Sequence, residues 1–277
     1  MNITIIIPVA TDNRIKKCIT SIDEDCEILV VANGATREIM SLLNSLKEEL
    51  GDKINVLEIS ERNLGLARDL GIKNAKNDKV ILMDSDCIFE KGTINLLYRG
   101  LEDHKVAKGR VIFLSDDFFS NIIKKVREYT TSDRITAYAP LLALKKEIIN
   151  DIDGYYFDHD IHWVDDAELD LRIRKYGIKI NYIPKAIIYH HSLKLFDDLC
   201  SAFRYGYGKR IGVRKGIMEG VGAFWGDIPN VVKEKGFFAS IYLILWNIAY
   251  CCGFFFQPYV DPYGVNKKLK SGGDKRQ

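Results

Sequence analysis

Apolar strands that alternate with amphipathic helices constrain the fold of this chain more than any other feature of its sequence. A helix with Ile15, Cys18, Ile19 and Ile22 on one face separates the first two predicted strands, and a second helix carries leucines at helical spacing. Strands this apolar must be covered on both faces, as in parallel sheets flanked by helices. The pattern therefore predicts an α/β fold with a mostly parallel, Rossmann-like sheet. The predicted strands are residues 3–9, 28–31, 54–59 and 80–83.

Two aspartates, Asp84 and Asp86, flank Ser85 directly after the fourth apolar run. In extended backbone, side chains two residues apart point to the same side, so both carboxylates would face one site. Mg²⁺ and Mn²⁺ take oxygen ligands and keep open positions for phosphates, which suits an enzyme that handles a nucleoside diphosphate. The alternative is an aspartate-rich turn that closes a strand.

Polar residues also follow the other predicted strands. Pro8 lies at the end of the first strand, Asn33 and Gly34 follow the second, and Asn63 follows the third. Ligands of open α/β sheets bind at the carboxyl ends of the strands. We therefore expect these residues and Asp84 to surround one ligand.

These segments, taken in chain order, resemble the inverting family 2 glycosyltransferases, which have the GT-A fold. No single motif is decisive, but the ordered set is highly specific. The likeness covers roughly the first two thirds of the chain. The matching segments are IIIPV (5–9), ILVVANGAT (28–36), NLGLARDLG (63–71), LMDSD (82–86), WVDDAELDLR (163–172) and YHH (189–191).

The resemblance implies that the donor is a nucleoside diphosphate sugar, linked to UDP or GDP. It implies that Arg68 binds the donor diphosphate with its guanidinium, whereas the helix position alone would favour a solvated face. Ala32 stands where the family usually has an aspartate, so the base preference stays open. Arg204 lies in a basic, glycine-interrupted segment that would otherwise be a flexible hinge. The residues implied to bind the donor are Pro8, Asn33, Asn63, Arg68, Asp84, Ser85 and Arg204.

The resemblance also implies a divalent cofactor, Mn²⁺ or Mg²⁺, held by Asp84 and Asp86 directly or through water. His191 is the third predicted ligand, since some family members have a histidine at this strand end. Because adjacent side chains of a strand point to opposite faces, at most one of His190 and His191 should bind the ion. A polar, half-exposed histidine pair is the alternative.

An acidic run that begins at Asp165 opens a predicted helix, which Gly177 ends. Acids in a first turn meet the helix dipole favourably, so helix capping would by itself explain Asp165. Inverting transfer also requires a carboxylate that removes the proton of the acceptor hydroxyl. The resemblance assigns this catalytic base to the acidic pair, and we favour Asp166 over Asp165. The sequence leaves the choice open.

The length and composition suit one large α/β domain with an appendage. For 277 residues the formal net charge is only +2, so we expect no nucleic-acid partner. The six cysteines form no Cys-x-x-Cys pair and no signal core precedes the first strand, which predicts a reducing cytosol. We predict a GT-A catalytic domain over 1–195, with a donor half of about 1–110 and an acceptor half of about 111–195, and a helical extension over 196–277.

Residues 236–260 form an apolar segment without a charged residue. Its length would allow a helix to span a bilayer, but a single span would leave one basic flank on the outer side. We favour a helix or hairpin in the cytoplasmic interface of the cell membrane, with Tyr242, Trp246 and Tyr250 at the lipid boundary. A helix packed inside the enzyme is the alternative. The flanking lysines are Lys233, Lys235, Lys267, Lys268 and Lys270.

These expectations together predict a metal-dependent inverting glycosyltransferase of cell-envelope glycan or glycolipid synthesis. The protein would be peripheral or monotopic, and its acceptor would be a saccharide or a polyprenyl-linked hydroxyl. A catalytically silent sugar-nucleotide-binding or scaffold protein is one alternative, favoured by Ala32 and by Asp69, where the family often has asparagine. A nucleotidyltransferase is the other, but it would normally carry a basic, glycine-rich loop where this chain has residues 10–13.

Overall fold

The computed structural model describes residues 1–260 and contains eight strands and nine α-helices within that range. The strands are β1 (Ile3–Val9), β2 (Glu27–Asn33), β3 (Ile54–Ile59), β4 (Lys79–Leu82), β5 (Cys87–Phe89), β6 (Val106–Phe113), β7 (Leu142–Lys145) and β8 (Ile180–His190). The helices are α1 (Ile15–Thr20), α2 (Arg37–Leu50), α3 (Leu64–Asn74), α4 (Thr93–Gly100), α5 (Phe118–Arg127), α6 (Asp165–Lys175), α7 (Leu195–Arg214), α8 (Ile228–Lys235) and α9 (Phe237–Phe256).

One sheet of eight strands, in the order β3-β2-β1-β4-β7-β6-β8-β5, forms the centre of the fold. The β3-β2-β1-β4 half is parallel, and β6 also pairs with β8 in parallel. The β4–β7, β6–β7 and β5–β8 pairs are antiparallel. The predicted α/β fold with a mostly parallel sheet is confirmed.

Strand β1 lies between two apolar layers, and all seven of its residues are buried. Ile5 and Ile7 face a layer that contains the buried residues of α1, α2 and α4. Ile6 faces the opposite layer, which contains the buried residues of α3 and α6. This alternation covers both faces of the sheet and leaves the carboxyl ends of the parallel strands at one edge.

One local prediction differs from the structure. Helix α1 ends at Thr20, so Ile22 packs against the core from beyond the helix.

Strand β8 is irregular near its middle. Gly109 pairs with Ile183, and the next pair is Arg110 with Ile187. The three intervening residues of β8 form a bulge.

Helices α7 and α9 pack closely because each carries a glycine at the contact. A Cβ atom on Gly206 would overlap the carbonyl oxygen of Tyr250, and one on Gly253 would overlap that of Phe203. Small residues at such points allow two helix backbones to approach. The glycine-interrupted segment 204–210 is part of the continuous helix α7, so its alternative interpretation as a flexible hinge is wrong.

Helix α9 has one buried and one exposed apolar face. Tyr242, Trp246 and Tyr250 are buried against α5, α7 and α8, so their predicted position at a lipid boundary is wrong. Phe237–Tyr259 is one stretch of the described chain that is long and apolar enough to span a membrane. The predicted basic flank and tail, residues 267–277, lie outside the described residues. The large apolar residues exposed on α9 are Phe237, Phe238, Ile241, Leu245, Ile248, Phe255 and Phe256.

Candidate active site

The Asp84-Ser85-Asp86 segment forms a turn between β4 and β5, at the carboxyl end of β4. Its two carboxylates therefore engage different partners instead of following the alternation of a strand. Asp84 Oδ1 lies 3.3 Å from Arg68 Nη2. Asp86 Oδ2 lies 3.7 Å from Arg14 Nη2 and also faces the end of β8. Both carboxylates lie at the predicted edge of the sheet.

Asp86, His190 and His191 form a cluster whose ligand atoms all lie within 4.8 Å of one another. Asp86 Oδ2 lies 3.4 Å from His190 Nε2 and 3.3 Å from His191 Nδ1. The expectation that His190 and His191 point to opposite faces is therefore wrong, since both rings face Asp86. Strand β8 ends at His190, so strand alternation no longer applies at His191, and the two rings stack with centroids 4.4 Å apart.

The donor atoms of this cluster fit a divalent transition metal. A set of imidazole nitrogens and one carboxylate oxygen suits a transition ion such as Mn²⁺ better than it suits Mg²⁺, which prefers oxygen ligands. His190 Nδ1 lies 2.9 Å from the carbonyl oxygen of His191, which can only accept, so Nδ1 carries the proton and Nε2 offers its lone pair. His191 Nδ1 is buried and makes no hydrogen bond within residues 1–260. Both nitrogens are therefore available as ligands.

Electrostatics keep this cluster in the protonation states that bind a metal. Burial acts to raise the pKa of Asp86, but His191, His190 and Arg14 outweigh it and lower the pKa below its usual range. Burial lowers the pKa of His190. A carboxylate and a neutral imidazole result at neutral pH, and both are forms in which these side chains coordinate metal ions.

Arg68 joins the two acidic segments of the site inside the protein. Its side chain is only 4 % exposed, and Nη1 lies 2.8 Å from Asp165 Oδ2 while Nη2 faces Asp84. The solvated helix face that its position in α3 suggested is therefore wrong. Burial raises the pKa of Asp84, although the charge of Arg68 opposes the shift. Asp165 serves this buried ion pair, while its neighbour Asp166 is left for another role.

Asp166 lies in the first turn of α6 with both carboxylate oxygens held by backbone donors. Oδ2 accepts from the Ala139 N–H at 3.0 Å, and Oδ1 accepts from the Ala167 N–H at 2.7 Å. Burial and then the adjacent charge of Asp165 raise the pKa of Asp166 to about 7, against the opposing charge of Arg68. A carboxyl group that titrates near neutral pH can accept a proton at physiological pH.

A cavity of about 340 Å³ connects the acidic side chains to the C-terminal helices. Asp84, Asp166 and His190 lie in its wall on the sheet side, which we call the donor wall. The opposite side, which we call the helical wall, contains residues of α5, α7 and α9 and of the chain between α7 and α8. Helical-wall residues that line the cavity are Arg127, Tyr205, Lys209, Met218, Gly222, Phe224, Trp246 and Tyr250.

The family model for glycosyl transferase family 2 matches residues 4–157, which is more than half of the chain. The chain belongs to glycosyl transferase family 2. Among curated relatives, it is 30 % identical over 109 residues to an uncharacterized glycosyltransferase of Rickettsia felis. It is 29 % identical over 108 residues to the glycosyltransferase GlyA of Streptococcus pneumoniae. Each match covers 37 % of this chain but only 17 % and 15 % of the two relatives.

Two solved structures share the fold of this family 2 chain at low sequence identity. The mannosyltransferase PcManGT from Pyrobaculum calidifontis, in complex with GDP-Man and Mn²⁺, matches with a TM-score of 0.60 and 17 % identity over 99 % of this chain and 79 % of that one. TarS 1-349 of S. aureus, in complex with UDP-GlcNAc, matches with a TM-score of 0.55 and 13 % identity over 98 % and 92 %. The predicted GT-A fold is confirmed.

The remaining predicted donor residues of this family 2 chain lie at the same edge of the sheet but mainly support backbone. Asn33 Oδ1 accepts from the Asn63 N–H at 2.7 Å. Asn63 Oδ1 caps α3 by accepting from the Leu66 N–H, and Nδ2 donates to the His159 carbonyl oxygen. Pro8 is buried in β1, and Ser85 lies half-buried in the turn between the two aspartates. Their predicted contacts with a donor remain predictions.

Arg204 is exposed on α7 and does not line the cavity, whereas Tyr205 and Lys209 of the same segment do. Sequence reasoning also missed Lys108 of β6, which is 3 % exposed and whose Nζ donates to the carbonyl oxygens of Tyr138, at 2.6 Å, and Pro140. Burial lowers the pKa of Lys108 to about 8. A lysine within an apolar strand was the available signal. It holds the loop whose Ala139 N–H binds Asp166.

Proposed function

We propose that this chain is an inverting, metal-dependent glycosyltransferase that moves a sugar from a nucleoside diphosphate donor to an acceptor hydroxyl. The observation that carries the proposal is the partly buried Asp166 carboxylate, whose pKa of about 7 and two backbone donors suit a general base. It lies in one cavity with Asp84 and His190. Family membership supports the same reaction class.

We propose that Asp86, His190 and His191 hold Mn²⁺ as the cofactor, with Mg²⁺ the weaker candidate because two of the donor atoms are nitrogen. When bound, the ion would neutralise charge on the leaving diphosphate. Asp84 stays a predicted ligand, directly or through water. Its ion pair with Arg68 keeps both side chains at the donor wall, where the diphosphate would lie.

The proton transfer is assigned to Asp166. As the acceptor hydroxyl oxygen attacks the anomeric carbon, its proton passes to the Asp166 carboxylate, and the bond from that carbon to the diphosphate oxygen breaks. The sugar leaves the donor with inversion, and the nucleoside diphosphate departs with the bonding electrons. The Ala139 and Ala167 N–H groups fix the orientation of the carboxylate without neutralising it.

The donor is proposed to be a UDP- or GDP-linked sugar. Solved structures with the same fold contain GDP-Man in one case and UDP-GlcNAc in another, which supports the donor class and leaves the base open. Ala32 is fully buried in β2 and offers no side-chain acceptor to a base. The specificity for uracil or guanine would therefore depend on other contacts.

We also propose that the protein binds the inner face of the cell membrane as a peripheral or monotopic protein. An exposed aromatic patch supports this proposal: Phe118 and Phe119 of α5 meet Phe237 and Phe238 of α9, with the rings of Phe118 and Phe238 5.6 Å apart. Exposed apolar surface of this extent is typical of an interaction surface. A polyprenyl-linked or saccharide acceptor of cell-envelope glycan synthesis would match that location.

A screen of nucleotide sugars tests the proposed reaction. The full chain is incubated with UDP- and GDP-linked sugars, with Mn²⁺ or with EDTA, and both donor hydrolysis and thermal stabilisation are measured. We expect one donor class to stabilise the protein and to be hydrolysed slowly only with Mn²⁺. The Asp166→Asn variant should be stabilised equally by the same donor. Stabilisation of the parent without turnover in the presence of any acceptor would favour the silent binding protein instead.

A further inference from the structure

The helical wall of the cavity differs in charge from the donor wall. The carboxylates that line the cavity come from the 84–86 turn and from α6, whereas the lining residues of α5, α7 and α9 include Arg127 and Lys209 and no carboxylate. Arg127 is partly balanced, since its Nε lies 3.7 Å from Asp198 Oδ1. The cavity therefore has a cationic side opposite the acidic side chains.

Lys209 is the cation on this wall without a partner. Within residues 1–260, its half-buried ammonium group has neither a hydrogen bond nor an ion pair. Its Nζ lies close to Gly222, 3.5 Å from the position that a Cβ atom on that glycine would take. Burial lowers the pKa of Lys209, and the charge of Glu219 only partly opposes the shift. A bound anion would offset this unfavourable burial of charge.

Three residues that line the cavity each carry a buried polar atom without a hydrogen-bond partner in the described chain: Trp246 Nε1, Arg127 Nε and Thr136 Oγ1. Buried donors are normally satisfied, so each of these marks a position that a ligand could fill. Thr136 precedes by three residues Ala139, whose N–H holds Asp166. Its hydroxyl therefore lies on the loop that also positions the proposed base.

Aromatic rings complete this wall. Trp246 stacks on Tyr250 with ring centroids 5.5 Å apart and an interplanar angle of 20°, and Phe224 lies 5.4 Å from Trp246. Trp246 is only 4 % exposed, yet it lines the cavity and keeps its N–H unpaired. Such a surface suits the apolar face of a sugar ring or the first isoprene unit of a lipid.

We infer that the helical wall is the binding subsite of a phosphate-bearing acceptor, with Lys209 as the counter-charge of the phosphate and Trp246 and Thr136 as hydrogen-bond donors to the group that carries the hydroxyl. The inference rests on the proposed function, since it calls the ligand an acceptor. A lysine binds phosphate as a compact point charge. The phosphate could belong to a soluble sugar phosphate or to a polyprenyl phosphate, which have this chemistry in common.

The inference is tested by measuring how tightly phosphorylated and unphosphorylated probes bind to the full chain in the absence of a donor. Tryptophan fluorescence and calorimetry follow titrations with glucose, glucose 6-phosphate, and a polyprenyl monophosphate in detergent micelles, with empty micelles as the blank. We expect at least one phosphorylated probe to bind about tenfold or more tightly than glucose, the range of a charge-assisted hydrogen bond. Lys209→Met should remove that preference, while Lys209→Arg should keep most of it.

Matched variants separate binding from folding. Lys233→Met removes an exposed lysine of α8 and should leave phosphate binding unchanged. Thr136→Val removes one unpaired polar group at nearly constant shape, so it should weaken probe binding severalfold without a loss of thermal stability. Trp246→Phe removes the unpaired N–H together with part of a buried ring, so it should weaken probe binding severalfold and also lower the melting temperature. Lys209→Met should melt no lower than the parent, because it removes an unpaired, half-buried charge.

Each outcome has one meaning. Binding of the polyprenyl phosphate alone identifies a lipid-linked acceptor, and binding of glucose 6-phosphate alone identifies a soluble one. Failure of both phosphorylated probes, or equal phosphate affinity in Lys209→Met and the parent, overturns the inference. Hydrolysis of the donor, in which water accepts the sugar, is measured with Mn²⁺ in the same variants. If hydrolysis persists while phosphate selectivity is absent, only the acceptor subsite is refuted, and if hydrolysis is absent in the parent, the proposed function itself fails.

Discussion

The donor wall and the helical wall of the cavity face each other but are built in opposite ways. At the donor wall, charged groups compensate one another: Arg68 lies between Asp84 and Asp165, and Asp86 faces two histidines. At the helical wall, Lys209 has no partner in the described chain and Trp246 leaves its N–H unpaired. The first arrangement is pre-organised before a ligand arrives, whereas the second leaves binding capacity open. The contrast supports the proposal that chemistry takes place at the donor wall and acceptor recognition at the helical wall.

The strongest test of the donor wall compares its two adjacent aspartates. Asp166→Asn should lower the rate of transfer by about a thousandfold and leave donor affinity nearly unchanged, because it removes the base but keeps the size of the side chain. Its NH₂ group must face one of the two backbone N–H donors, so the free energy of unfolding should fall by about 1 kcal/mol. Asp165→Asn breaks the buried pair with Arg68 and should lower the free energy of unfolding by about 3 kcal/mol. Single-turnover transfer, donor titration and urea unfolding measure the three quantities.

Asp170→Asn is the matched control for this pair, because it changes another buried acid of the same helix that pairs with the half-exposed Arg174. It should affect stability more than transfer. If Asp165→Asn abolishes transfer in a stable protein while Asp166→Asn is mild, the base is Asp165 and the assignment within the pair is reversed.

The second prediction concerns the metal cluster. Asp86→Ala should remove Mn²⁺-dependent binding of the nucleoside diphosphate and reduce transfer to background, since the variant keeps only the two imidazole ligands. His190→Ala and His191→Ala should each weaken Mn²⁺ affinity, in contrast to the sequence-based expectation that only one of them binds. Calorimetry with Mn²⁺ alone and electron paramagnetic resonance measure affinity. Unaltered Mn²⁺ affinity in Asp86→Ala would remove the metal from this cluster.

The two walls also differ in how much of them the sequence predicts. Asp86 and Asp166 could be predicted as site residues because each lies in a short motif whose spacing has a local meaning. The expectation that His190 and His191 point to opposite faces was wrong, because strand alternation was applied beyond the last strand residue. Lys209 was missed in favour of Arg204, since the side of α7 that faces the cavity depends on where α9 packs. That packing is a long-range contact, so periodicity along one segment cannot predict it.

The third prediction tests the contact that orients the helical wall. In Gly206→Ala the new methyl group would overlap the Tyr250 carbonyl oxygen, so α9 and with it Tyr250 must shift. We expect a loss of about 2 kcal/mol in the free energy of unfolding, because overpacking exceeds the gain in helix propensity. Gly226→Ala, which enters open space, is the control and should be neutral. Equal midpoints of urea unfolding for the two variants would contradict the close helix contact.

The fourth prediction follows from the raised pKa of Asp166. The base must be deprotonated to accept a proton, so the rate of transfer should rise about tenfold per pH unit below pH 7 and level off above it. The measurement is kcat at saturating donor, acceptor and Mn²⁺, so that protonation of the histidines does not limit metal binding. Asp166→Asn should lose this limb of the profile. A flat profile across pH 7 in the parent would reject Asp166 as the titrating base.

The smallest expected effect concerns the outer face of the helical wall. Phe118 of α5 and Phe238 of α9 contact each other, and each side chain is 59 % exposed. Because the protein already covers the rest of each ring, only the exposed part could be buried in a lipid headgroup layer. We expect Phe118→Ser and Phe238→Ser each to weaken binding to phosphatidylglycerol-containing vesicles by about threefold to tenfold, less than full burial of a phenylalanine would give. Transfer to a soluble acceptor should stay constant, because neither residue lines the cavity.

The control is Tyr176→Ser, which changes an exposed aromatic residue after α6. Sedimentation with vesicles measures the effect, and equal losses in all three variants, or no vesicle binding by the parent, would contradict a membrane role for this patch. In that case the apolar face of α9 would serve another contact, and the acceptor subsite on its inner face would have to be judged without a membrane.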